Sequence, residues 1–296
     1  MTLTQAHRFS LLPSFFFGAL SLFLCLVSSS LVLQANNQTP CTAPDHAWEV
    51  LIYIHGRQVG NTVNPEEQKK LGESLRQGIG GGSILRMDVE NYTSFPIYED
   101  KTSQKLIILV EWDEYADFKN RSLPLLYTWS RDIVDQILYL VPGTANLRFT
   151  IMGHSRGALL ENVVIQTLQF DGFSVRYAFY ADPHPINRLG LAEDIQSDMV
   201  RWEKNTEKAV YVPNGVPEAI NLYQQNGLYE LDGSPNGLPL IKAEDQSTKI
   251  QNIAINRQKL MAFAKEQGEE NPFIAKASMH SLVKWYLILK ILPEYY

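Results

Sequence analysis

Short, continuous apolar runs alternate along this chain with stretches that repeat apolar residues every three or four positions. Trp48 to Ile54 (WEVLIYI) is rich in β-branched and aromatic residues and ends at His55-Gly56, as a strand buried on both faces does. Asn64 as N-cap, Pro65 at the first helical position and Glu67 three residues after the cap predict a helix through PEEQKKLGESLRQGI, ended by the run Gly78 to Gly82. Lys105 to Trp112 (KLIILVEW) predicts a second buried strand, and Leu123 to Val141 a helix packed on a sheet and stopped by Pro142-Gly143. Leu147 to Met152 then reads as strand, Arg156 to Phe170 as helix and Val175 to Tyr180 as strand. This alternation predicts an α/β fold with a mostly parallel central sheet and helices on both faces.

Ala209 to Pro213 and Ala219 to Tyr223 are weaker strand candidates separated by Asn214-Gly215, and Asp232 to Gly237 is a loop rich in Gly, Pro, Ser and Asn. The densely apolar Ser281 to Leu292 (SLVKWYLILKIL) predicts a closing helix packed against the sheet.

The N-terminal segment has a different pattern. After Arg8 no charged residue occurs until Asp45, and the apolar stretch Phe15 to Val27 is followed by Ser28, Ser29 and Ser30. Residues 1–35 therefore have the outline of a signal peptide, and the chain is expected to be exported, periplasmic or secreted. The alternative is an uncleaved anchor, because Leu11 to Leu33 is long enough to cross a bilayer. Residues 36–296 are expected to form one domain, within the size range of a single large core. Its only cysteine would be Cys41, since Cys25 lies in the leader, so no internal disulfide is expected after cleavage. The net charge of −6 and the lack of any dense Lys/Arg stripe argue against a nucleic-acid partner. Sequons at Asn37, Asn91 and Asn120 are short enough to arise by chance and carry no weight.

The most specific chemical feature is Gly153-His154-Ser155-Arg156-Gly157, a G-x-S-x-G pentapeptide between the strand RFTIM and the helical run ALLENVVIQTL. A serine hydroxyl is a poor nucleophile at neutral pH, so it needs exposure at a sharp turn, a base within hydrogen-bond reach and donors for the developing oxyanion. A strand-to-helix elbow supplies the turn, flanking glycines remove crowding Cβ atoms, and the Arg156 backbone N–H is placed to be one oxyanion donor. The pattern alone also occurs by chance, and its flanking strand and helix are what give it meaning.

The elbow, the early strand ending in His55-Gly56 and a late histidine resemble an α/β-hydrolase of the esterase and lipase kind, over about Trp48 to Leu289. The resemblance implies a second oxyanion N–H from Gly56 or Arg57, although HGRQVG departs from the multi-glycine version of that loop. His55 itself is then structural. The resemblance also implies a base that follows the acid in chain order. His280, in ASMHSLVKWYL, precedes the closing helix as the family's base does; His184, between prolines in ADPHPI, is the weaker candidate. Asp182 ends the strand YAFYA 27 residues after Ser155 and is the favoured acid, with Glu218 and Asp232 as alternatives. Residues 187–208 would be either a small cap over the pocket or a plain connector.

No histidine spacing suggests a metal site, and no phosphate loop or dinucleotide fingerprint occurs, so no cofactor is expected. The function these features point to is hydrolysis of carboxylic esters through an acyl-enzyme on Ser155, with a small-molecule ester or lipid as substrate. The alternatives are a lipase or phospholipase touching membranes through the N-terminal segment or the cap, and a non-catalytic hydrolase-like binding protein.

Overall fold

A computed structural model describes residues 47–56, 64–89, 93–112, 123–141, 146–183, 200–202, 208–224, 237–242 and 247–296. The parallel sheet predicted from the sequence is present. Its strands are β1 (Trp48–Ile54), β2 (Ser83–Asp88), β3 (Thr93–Tyr98), β4 (Lys105–Glu111), β5 (Leu147–His154), β6 (Val175–Ala181), β9 (Glu218–Gln224) and β11 (Lys249–Ile255). Their spatial order is β11-β9-β6-β5-β1-β4-β2-β3, and only β3 runs antiparallel, at one edge. A separate three-stranded sheet joins β7 (Val200–Trp202), β8 (Lys208–Val212) and β10 (Leu240–Lys242).

The central strands alternate their side chains between two cores, as the period of two requires. In β1, Val50, Ile52 and Ile54 face one core while Leu51 and Tyr53 face the other, and all five are buried. Full burial of each such aliphatic side chain contributes roughly 1.5–3 kcal/mol. The first core is covered by α2 (Leu123–Leu140) and α3 (Gly157–Phe170), the second by α1 (Pro65–Gly78), α4 (Arg257–Gln267) and α6 (Met279–Tyr286), with the short α5 (Pro272–Ala275) between the last two. Helix α1 starts as its sequence predicts, with the Asn64 side chain accepting from Glu66 N at 2.9 Å and Pro65 in the first turn.

The closing helix differs from the expected continuous Ser281–Leu292. Helix α6 begins at Met279, widens to a π-helical turn over Leu287–Ile291 and ends in a 3₁₀ turn at Leu292–Glu294. Pro293 is the physical reason: it has no N–H to continue the ladder, and its ring crowds the carbonyl four residues earlier, within the widened turn. Among the described residues no helix is long and apolar enough to cross a membrane. Residues 1–46, which carry the expected leader, lie outside the described residues.

Candidate active site

Because β1, β5, β6, β9 and β11 are mutually parallel, the segments that leave their carboxyl ends converge on one edge of the sheet. Strand β5 ends at His154, Ser155 takes the left-handed conformation at φ +58°, and α3 begins at Gly157. A non-glycine residue there costs on the order of 1–2 kcal/mol, which the surrounding contacts must offset. The two glycines allow this. A Cβ at Gly153 would lie 2.5 Å from Ala158 Cα, and one at Gly157 would lie 2.2 Å from the His55 carbonyl oxygen. Sheet pairing extends into the turn, with Ser155 N donating to Ala181 O at 2.9 Å. The positive end of the α3 dipole therefore lies beside Ser155.

Asp182 follows β6 directly, also in the left-handed region at φ +47°, and is fully buried. Its carboxylate is well supplied with donors. Oδ1 accepts from Gln224 N at 3.0 Å; Oδ2 accepts from Gln224 Nε2 at 3.3 Å and from His280 Nδ1 at 2.6 Å. A charge-assisted bond of that length is among the stronger contacts a buried carboxylate can make. His280 is the second residue of α6, a helix capped by the Ser278 hydroxyl, which accepts from Ser281 N at 3.2 Å. Gly237 packs closely against the Asp182 carboxylate: a Cβ there would lie 2.0 Å from Asp182 Oδ1.

The end of β1 closes the other side. A Cβ on Gly56 would lie 2.9 Å from both Ser155 Cβ and His154 Nδ1, so this backbone runs directly against the elbow. The His55 carbonyl accepts from Trp112 Nε1 at 2.7 Å, which fixes the peptide plane that also carries the Gly56 N–H. The His55 side chain points into the second core, edge-on to Tyr53 at 4.8 Å between centroids. Burial, with the Lys284 and Arg86 cations adding to it, pushes its imidazole down to about 3, so it is uncharged at neutral pH. That fits a structural role.

The structure thus brings Ser155, His280, Asp182, Gly56 and Arg156 to one edge. Arg57 and the candidates His184 and Asp232 lie outside the described residues, as do most of residues 187–208. Glu218 does not belong to this site. It opens β9 at the sheet's opposite edge, where it accepts from Lys249 Nζ at 2.7 Å, because the acid must leave a strand's carboxyl end and Glu218 enters at the amino end. Sequence reasoning missed Gln224 and Gly237. No local signal marks either, since Gln224 reaches Asp182 across 42 positions and Gly237 matters only through what it leaves room for.

A serine after a central parallel strand, a carboxylate after the neighbouring strand and a histidine after the last described strand are arranged as the resemblance to an α/β-hydrolase implies. No protein-family model matches the sequence, and no curated protein sequence matches it. Among solved structures the chain is similar to a candidate cell surface hydrolase from Lactobacillus plantarum, at 11% identity and TM-score 0.45 over 82% of this chain and 97% of that one. It is similar to a Listeria innocua gene product at 14% identity and TM-score 0.43, over 83% and 95% of the two chains. A Pyrobaculum calidifontis esterase matches at 12% identity and TM-score 0.36, over 95% and 96%. These likenesses are too loose to bear on chemistry, which rests on the residues themselves.

Proposed function

We propose that this chain is a serine hydrolase that cleaves carboxylic esters, with Ser155 as nucleophile, His280 as general base and Asp182 as the acid that orients it. The observation that carries this reading is the 2.6 Å contact from His280 Nδ1 to the buried Asp182 Oδ2, at the same end of the parallel strands as a serine at φ +58°. With Nδ1–H donating to the carboxylate, the lone pair of the neutral ring resides on Nε2, the tautomer a general base needs.

In the first half-reaction the Ser155 Oγ attacks the ester carbonyl carbon while its proton passes to His280 Nε2. The oxyanion is held by the backbone N–H groups of Arg156 and of Gly56 or Arg57. The tetrahedral adduct collapses, the alcohol leaves with the proton from His280, and an acyl ester remains on Ser155. Water then attacks that ester as His280 takes its proton, and the carboxylic acid is released with Ser155 regenerated.

The test is Ser155→Ala with p-nitrophenyl acetate and butyrate as substrates. We expect a loss on the order of 10⁴-fold or more in kcat, an unchanged circular-dichroism spectrum, and fluorophosphonate labelling of the wild type only. Retained turnover in the variant would remove Ser155 from the mechanism. A wild type that neither hydrolyses esters nor takes the label would favour a non-catalytic protein.

A further inference from the structure

We propose that His154, the residue just before the nucleophile, is a positioning residue that clamps the ring of His280; the inference rests on the serine hydrolase reading above. Side-chain alternation along β5 sends Met152 into the second core, and the same period of two puts His154 on that face, the one that α6 covers. There the two imidazoles stack, with centroids 4.5 Å apart and planes tilted by 32°. The His154 Nε2 also lies 3.3 Å from the His280 carbonyl oxygen. A carbonyl can only accept, so this contact requires the Nε2–H tautomer of His154.

The geometry answers a need that the acid alone leaves open. The hydrogen bond from Nδ1 to Asp182 fixes one edge of the His280 ring, and a bond along one direction does not by itself stop a ring from swinging about it. A neighbour against the ring face removes the swing, and a hydrogen bond to the same residue's main chain fixes where the side chain starts. His154 supplies both contacts and is itself held. It is 93% buried, and the Gly56 backbone packs so closely that a Cβ there would sit 2.9 Å from Nδ1.

Three variants separate the two contacts. His154→Ala removes both, His154→Phe keeps a ring without the donor, and His154→Gln keeps an N–H at similar reach without the ring. We expect kcat on p-nitrophenyl butyrate to fall about 100-fold in H154A, the size of a small misplacement of a reacting group, with KM within twofold. H154F and H154Q should each recover part of that loss, and the second-order rate of fluorophosphonate labelling should fall in the same proportion as kcat. The proton resonance of His280 Nδ1–H should shift or broaden in H154A relative to the wild type while the melting temperature stays within a few degrees. Wild-type kcat in all three variants, or a loss of activity that merely follows lost folded protein with that resonance unchanged, would overturn the proposal. A wild type that neither turns over nor labels would instead defeat the hydrolase reading, and the resonance would still report whether His154 holds the ring.

Discussion

Two clusters of buried polar groups flank the elbow on the same edge of the sheet, and they are satisfied to different degrees. On the β6 and β9 side, Asp182 collects three donors from Gln224 and His280. On the β1, β4 and β2 side, Glu111 pairs with Arg86 and Lys284 pairs with Glu67 at 3.2 Å, yet Tyr53 OH, His55 Nε2, Gln68 Nε2 and Glu111 Oε1 are buried with no hydrogen-bond partner among the described protein groups. Each unmet buried group costs roughly 1–3 kcal/mol. The Asp182 carboxylate is therefore well supplied with donors, whereas the groups at the ends of β1 and β4 are not. Stability and chemistry should consequently respond in opposite ways when the two sides are cut.

The largest effect is expected on the paired side. Asp182→Asn keeps the shape and one oxygen for Gln224 N, but its amide no longer fixes the Nδ1–H tautomer of His280; kcat should fall about 10³–10⁴-fold on p-nitrophenyl butyrate. A loss below tenfold would mean that Asp182 is structural, and the contrast would fail on its stronger side.

On the other side the effect falls on stability and depends on pH. His55 has its folded pKa lowered to about 3 from 6.5, so between those values the unfolded chain binds a proton that the folded chain does not. This contribution is fully present above pH 6.5 and is lost as pH falls towards 3, at up to about 1.4 kcal/mol per unit. Urea midpoints measured from pH 7 to pH 4 should therefore fall less steeply for His55→Gln than for the wild type. Equal slopes would show that the imidazole is not held neutral. The smallest effect is expected for Tyr53→Phe, which removes one unmet hydroxyl: stability should change by less than about 1 kcal/mol or rise. A loss above about 2 kcal/mol in denaturant would reveal a partner for that hydroxyl and erase the difference between the clusters.

The central architecture was legible because its strands are buried on both faces and confine their polar residues to the strand ends, as WEVLIYI and KLIILVE do. Strands β2, β3 and β11 escaped notice for the opposite reason. Strand β3 is largely exposed and carries Pro96, and β11 (KIQNIAI) is mostly half-exposed at the other edge, so their polar residues mask any run. The site divides in the same way. Ser155 is written locally by its elbow, and Asp182 by a strand that stops at Asp-Pro, whereas the partners of Asp182 arrive from distant positions that no spacing rule connects.

The central strand β1 pairs with β4 and β5, but His280 follows every described strand of the sheet in chain order and arrives on α6. During synthesis Ser155 and Asp182 emerge well before His280, so on the proposed mechanism a growing chain lacks the base that the serine needs. Contacts joining residues as far apart as 182 and 280 also close slowly. Catalytic competence should therefore be the last property the nascent protein acquires, and an incomplete copy released from the ribosome should be chemically inert.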